Sequence, residues 1–347
     1  MRIGFNIKPL KTGHKLRGIG SYTQNLLEQL RKRKDIEVVE FEDIDNVGNV
    51  DLVHYPFFDL FKRTLPNQKN IPMVVTIHDA IPLKFSQYYP MGFKGSINLL
   101  LQKRALQKAS AVITDSYCSK VDINKYLKVD NDKIFTVYLG VSDEFKIIKD
   151  PRFLKQVAQK YHLPEKFVLF VGNVNWNKNL SNLANACDNF GVNLVLVGSG
   201  FNTRENLKHP ELQSFSNFLK KYGNNPLIKI TGFVEPEDLP KVINLASALA
   251  LPSYYEGFGL PILEAQACKV PVITSNISSM PEVAGEGAIL VDPGDVTQIE
   301  GAIKEVLNDE QKRVDLIERG LKNVAKFSWE KCAQNTTNVY KSVLNQK

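Results

Sequence analysis

The chain has 347 residues, 43% of them hydrophobic, enough to bury two ordinary cores. Its formal charge of +7 is unevenly divided: residues 1–162 carry 26 Lys+Arg against 17 Asp+Glu, and residues 163–347 carry 18 against 20. The basic residues are dispersed, with no zinc finger, RNP-type aromatic motif or continuous basic helix, which argues against a nucleic-acid module and leaves an anionic substrate or membrane surface, or equally a solvated face with no partner, as the reading of the first half.

In chain order, 3–7 reads as a first strand and lacks the long apolar region of a signal peptide. Gly18 and Gly20 follow at the start of a helix expected over 21–33, where glycine lets a backbone approach a ligand closely. Their spacing is not that of a dinucleotide fingerprint, and a structural turn explains them equally well. Strands are expected over 36–41, 52–55, 73–78, 111–114 and 134–138, with helices over 97–108 and 120–127. The polar pair His78-Asp79 closes the 73–78 strand, and in a doubly wound sheet the carboxyl ends of strands are where ligands bind. His54, also near a strand end, competes with His78 for that role. Asp43/Asp45 and Asp130/Asp132 are Asp-x-Asp pairs, read as solvated turns in preference to metal ligands. The segment 95–109 mixes Ile97, Leu99, Leu100, Leu101 and Leu106 with Lys94, Lys103, Arg104 and Lys108. It is expected to pack as a core helix with a basic outer face, docking on an anionic membrane being the other reading.

After a linker-like 145–160 the alternation restarts near 163, so two domains are expected, 1–162 and 163–327. Strands there cover 167–171, 194–197, 227–230, 248–251, 271–274 and 288–291, and helices 180–189, 211–222, 237–246, 261–268 and 296–307. The pattern is α/β: two doubly wound, Rossmann-like domains facing a cleft. The longest membrane-span candidate, 242–255, holds 14 residues with Asn244 and two serines, short of the roughly 20 that span a bilayer. Cys118, Cys187, Cys268 and Cys332 are scattered, as suits reduced thiols and a cytoplasmic protein.

Chemistry concentrates in two turns of the second half. Gly172-Asn173-Val174-Asn175-Trp176-Asn177-Lys178 joins a strand to a helix, and a lysine there is a point charge suited to phosphate. Tyr255-Glu256-Gly257-Phe258-Gly259-Leu260-Pro261-Ile262-Leu263-Glu264 places two carboxylates around a glycine turn and a helix start. Pro261 suits the first helical turn, and the turn aims amides and a positive dipole end forward. Carboxylates accept from sugar hydroxyls and repel phosphate oxygens. Two of them flanking an anion hole fit a ligand that is part diphosphate and part polyol, a nucleotide sugar.

The Glu-x7-Glu stretch resembles, residue by residue, the signature of retaining glycosyltransferases of group 1 (family 4). The resemblance extends to the glycine loop, His78-Asp79-Ala80-Ile81-Pro82, Lys178, Met280-Pro281-Glu282-Val283-Ala284-Gly285 and the Ser328-Trp329 helix. It implies a GT-B fold whose last helix, 328–347, crosses back onto the first domain. It also implies a metal-independent, cofactor-free transfer of a hexose from a nucleoside-diphosphate sugar to a hydroxyl of a glycan or lipid-linked acceptor. On that resemblance His78, Glu256 and Lys178 are the catalytic candidates. Glu264, Gly257, Phe258, Gly259, Leu260, Gly198, Phe233, Val234 and Asn173 line the donor site, and Gly18 and Gly20 belong to the acceptor-side loop. Asn173 and Asn177 stand where the family often carries cations. The likeness is strongest to mannosyltransferases of surface-polysaccharide assembly, which puts GDP-mannose first as donor and a UDP-sugar next, with peripheral contact at the inner face of a membrane. A nucleotide-sugar 2-epimerase and a non-catalytic sugar-nucleotide-binding homologue are the alternatives.

Overall fold

The computed structural model describes residues 1–13, 18–66, 71–203 and 207–345. They contain twelve strands: β1 Arg2–Asn6, β2 Glu37–Phe41, β3 Leu52–Tyr55, β4 Met73–Thr76, β5 Ala111–Thr114, β6 Ile134–Thr136, β7 Phe167–Val171, β8 Asn193–Val197, β9 Ile228–Gly232, β10 Ala248–Leu251, β11 Val272–Ser275 and β12 Ala288–Val291. Two compact units result, Met1–Gly140 with Phe327–Lys347, and Val141–Lys326.

The first unit holds a parallel sheet in the order β2-β1-β3-β4-β5-β6. Every residue of β3, β4 and β5 is buried. Strands covered on both faces read as unbroken apolar runs, which is why these short segments stand out in the sequence. Edge strand β2, Glu-Val-Val-Glu-Phe, keeps only Phe41 fully buried. The C-terminal helix Trp329–Asn345 packs on the helix Gly18–Arg31. The chain leaves the sheet at Gly140, where a Cβ would lie 2.1 Å from the Trp329 amide nitrogen, so only glycine admits the returning helix.

The helix Phe93–Leu106 packs Leu99, Ala105 and Leu106 on the core as expected but leaves the rest of its apolar face uncovered. Only Gln102, Ala105 and Leu106 are buried, and Phe93, Ile97 and Leu100 are 83%, 45% and 52% exposed.

The second unit repeats the architecture with the order β12-β11-β10-β7-β8-β9, again all parallel. Its compact body starts at Val141, ahead of the division read near 162. The reason is the helix Pro151–Lys160, read above as a linker, which packs on the helix Leu239–Leu245 of the same unit. Asp150 caps it by accepting from the Arg152 amide, and Pro151 occupies the first turn. Glu310–Val324, given no element in the sequence reading, is also a helix, capped by Asp309 through the Lys312 amide. Among the described residues no helix is long and apolar enough to cross a membrane.

Candidate active site

In the second unit three strand ends are locked by backbone contacts. Gly172 N–H donates to Val197 O (2.9 Å), and Gly198 N–H to Gly232 O (2.8 Å). Gly198 has φ +153°, and a Cβ on it would sit 1.9 Å from the Gly172 carbonyl oxygen. No other residue fits this crossing. Asn173 beside it is exposed, Phe233 is half-buried and Val234 is buried.

Past Gly172 the chain makes a single short turn, Trp176–Lys178, and enters the helix Leu180–Phe190 through Asn179, which adopts the left-handed conformation (φ 54°). The buried Asn179 amide donates to Pro252 O (2.8 Å) and Pro293 O (2.7 Å), tying this turn to the loops after β10 and β12. Asn177 is also buried: its side-chain amide donates to Tyr255 O at 2.7 Å, and its carbonyl accepts from the Tyr254 amide at 2.8 Å. The residue standing in a cation's place is therefore a clamp on the Glu256 loop.

Lys178 is held between these two asparagines. Its Nζ lies 2.7 Å from both Glu256 carboxylate oxygens, with the two side chains 16% and 9% exposed. Ser253 Oγ donates to Glu256 Oε1 at 2.7 Å. Ser278 and Ser279 hydroxyls donate to the Glu256 carbonyl at 2.7 and 2.9 Å, and the Glu256 amide donates back to Ser278 Oγ at 3.1 Å. Both backbone and side chain of Glu256 are thus fixed.

Gly259, at φ +104°, turns the chain into the helix Leu260–Ala267. Pro261 has no N–H, and that of Ile262 is used by Gly259 O. Glu264 sits one turn further on, half-buried, and its carboxylate makes no hydrogen bond or ion pair among the described residues. Burial, reinforced by the charge of Glu144, pushes its pKa up to about 8. A carboxylate in that state gains from any ligand that donates two hydroxyls to it.

In the first unit the two histidines separate. His54 is fully buried inside β3, with Nδ1 2.6 Å from the Tyr340 hydroxyl and Nε2 2.8 Å from Thr76 Oγ1. Burial, with the His78 charge added, lowers its pKa to about 3, so it is a neutral core bridge. His78 lies two residues beyond β4, with its edge against the Tyr22 ring and Nδ1 2.7 Å from Asp115 Oδ2. Burial opposes its charge, but the adjacent Asp115 carboxylate raises its pKa above the ordinary value overall. That bond places a proton on Nδ1 and leaves Nε2 as the atom with capacity for a ligand. Asp115 was missed in the sequence, although it follows β5 as His78 follows β4.

Gly18 and Gly20 form the first turn of the helix Gly18–Arg31 and so lie in helix, where a loop was expected. Gly20 is buried and lines a groove of about 470 Å³ with Lys11 and Ser21. Residues 14–17 of the same motif lie outside the described residues. Asp43, Asp45, Asp130 and Asp132 are exposed, and among the described residues no three His, Cys, Asp or Glu side chains gather as a metal site.

Comparison with known proteins identifies the family and the fold. Residues 154–323 match the family model for group 1 glycosyl transferases, and residues 41–145 match that for glycosyltransferase family 4. O-antigen chain mannosyltransferase B of Escherichia coli is 32% identical over 273 residues, covering 77% of this chain and 70% of that one. The serotype-specific mannosyltransferase WbdA of Escherichia coli is 29% identical over 275 residues, or 76% of this chain and 33% of that much longer protein. Among solved structures, Anabaena HepE in complex with UDP and glucose superposes with a TM-score of 0.75 at 18% identity, over 99% of this chain and 100% of that one. At that identity the likeness speaks to the fold alone, which is GT-B.

Proposed function

The chain belongs to the group 1 (family 4) glycosyltransferases, and from that premise we propose that it moves a hexose from a nucleoside-diphosphate sugar to a hydroxyl of a glycan or lipid-linked acceptor, with retention of configuration. One observation carries the reading. Lys178, Glu256 and the unpartnered Glu264 converge on a single strand–turn–helix junction, which offers a cation and forward amides for a diphosphate and carboxylates for hydroxyls. Glu264 accepts from the ribose and Glu256 from the sugar. Lys178 and the Gly257–Leu260 amides stabilise charge growing on the leaving diphosphate, the differential term that accelerates the step. The acceptor oxygen forms its bond to the anomeric carbon on the face the diphosphate leaves, and the acceptor proton passes to a diphosphate oxygen. The scheme uses no covalent nucleophile and no metal. His78, its Nδ1 proton held by Asp115, keeps Nε2 to accept from a sugar hydroxyl. GDP-mannose is the first donor to try, because mannosyltransferases stand among the relatives, and a UDP-sugar the second.

The test is a thermal-shift screen of GDP-, UDP-, ADP- and TDP-sugars, followed by product analysis with the donor that binds. A new glycoside of retained anomeric configuration is expected. An isomerised donor without a glycoside, or an inverted product, sinks the proposal.

We also propose peripheral contact with an anionic membrane through the helix Phe93–Leu106. Phe93, Ile97 and Leu100 share one helical face by spacing and are exposed. Between Asp79 and Asp115 the sequence has Lys84, Lys94, Lys103, Arg104 and Lys108 and no acidic residue. An apolar stripe flanked only by cations is the pattern of an interfacial helix. Replacing Phe93, Ile97 and Leu100 together with serine is expected to lower partitioning onto phosphatidylglycerol vesicles by about tenfold or more. Sedimentation of that variant with the vesicles as fully as the parent chain refutes this contact.

A further inference from the structure

We propose that the first unit carries an anion-binding cavity, at the carboxyl ends of β1 and β3, that takes a phosphate or diphosphate group of the acceptor. The inference rests on the glycosyltransferase reading and adds to it the chemistry by which the acceptor is held.

The cavity measures about 390 Å³, and Asn6 and Tyr55, the last residues of β1 and β3, line it. Carboxyl strand ends are where parallel sheets bind ligands, and the volume falls in the range of ligand pockets. Lys8, Lys62 and Arg63 also line it, and among the described residues none of their side chains forms an ion pair or hydrogen bond. The lining acceptors, by contrast, are engaged. Asn6 Oδ1 accepts from the Lys8 amide at 3.3 Å, while its Nδ2 donates to Glu42 O at 3.1 Å. Asp59, the one carboxylate among the described lining residues, accepts at Oδ1 from the amides of Phe61 (2.8 Å) and Lys62 (3.0 Å).

Tyr55 supplies the decisive group. It is 5% exposed, its ring packs edge-on against Phe41, and its hydroxyl has no hydrogen bond among the described residues. Burial, with the charges of Asp43 and Asp45 added, pushes its phenol pKa up, so it stays a donor. Among the described residues, three lining cations without an ion pair and a buried hydroxyl donor against one partly engaged carboxylate make a lining rich in donors. Such a lining selects a ligand rich in acceptor oxygens with negative charge. A neutral sugar, which needs acceptors as well as donors, is poorly matched.

The experiment is calorimetric titration of the full chain at low salt with inorganic pyrophosphate, a short prenyl diphosphate and the matching prenol. The Lys178 turn is expected to take pyrophosphate too, so the parent chain should bind two per molecule. Lys62→Gln with Arg63→Gln, both exposed and remote from the core, should weaken one of the two sites by about tenfold while melting and nucleotide binding stay unchanged. Lys178→Gln, whose amide still offers Glu256 a donor, should weaken only the other. Tighter binding of the prenyl diphosphate than of pyrophosphate at the cavity identifies a lipid-linked group, and equal binding identifies a free phosphate group; both support the cavity. Unchanged titrations in the Lys62/Arg63 variant overturn it, as does binding of the prenol as tight as that of its diphosphate. A chain that binds no nucleotide and still loses a site in the Lys62/Arg63 variant keeps the cavity and loses the donor reading.

Discussion

Lys178→Met is expected to lower kcat by about 10²–10³-fold, the usual loss on removing a preorganised group that stabilises transition-state charge. The same change should destabilise the chain. Glu256 is nearly buried, and without the ammonium at 2.7 Å its carboxylate keeps only the Ser253 hydroxyl and whatever water reaches it. Breaking a buried pair from one side costs about 3–5 kcal/mol, and the residual exposure of both groups points to the lower end. The two effects separate in a double variant. Adding Glu256→Gln removes the stranded charge, so the urea midpoint should recover most of its loss at an unchanged slope. Activity should not recover, because the cation facing the leaving group and the carboxylate facing the sugar are both missing. Recovery of kcat alongside stability would show that Lys178 acts only by holding Glu256, and the catalytic assignment would fall.

That pairing was not legible in the sequence, where Lys178 and Glu256 are 78 positions apart with separate roles. Much else was. Each of the twelve strands was expected within a few residues of its place, and β3, β4, β5, β10 and β11, buried at every residue, need no alternation to be seen. The misses have physical causes. Pro151–Lys160 looks like a linker because Asp150-Pro151 reads as a turn, yet the same pair is a cap and a first helical residue. Glu310–Val324 is polar over most of its surface and buries only Leu316, Gly320, Asn323 and Val324, too few to show a period. Asn177 looked only like a residue in a cation's place because sequence shows the type of a side chain and not its direction; it points into the protein, to the Tyr255 carbonyl. His54 and His78 were equal candidates by position alone. Burial of the first between Tyr340 and Thr76, and the Asp115 carboxylate beside the second, set them apart.

Donor affinity is expected to rise with pH, by about tenfold per unit between roughly 6 and 8, and to level off above. The argument starts from Glu264, which burial and Glu144 hold at a pKa of about 8 in the free chain. Ribose hydroxyls donating to the carboxylate favour its ionised form, so binding must expel a proton whenever the free side chain carries one. The sugar nucleotide's diphosphate is esterified at both ends and does not itself titrate in this window. Calorimetry at pH 7 in buffers of different ionisation heat should show close to one proton released per donor, and close to none at pH 9.5. Glu264→Gln should abolish the release and weaken binding at pH 8.5 by about tenfold or more for each charge-assisted bond lost. The sign for stability runs the other way. A carboxyl whose folded pKa is raised favours the folded chain fully below its unfolded value of about 4.3, and that contribution is lost as pH rises through 8. The unliganded chain should therefore lose stability across this range while the donor-induced rise in melting temperature grows. A donor-induced rise that is flat with pH, or proton release that survives in Glu264→Gln, would remove Glu264 from the ribose site.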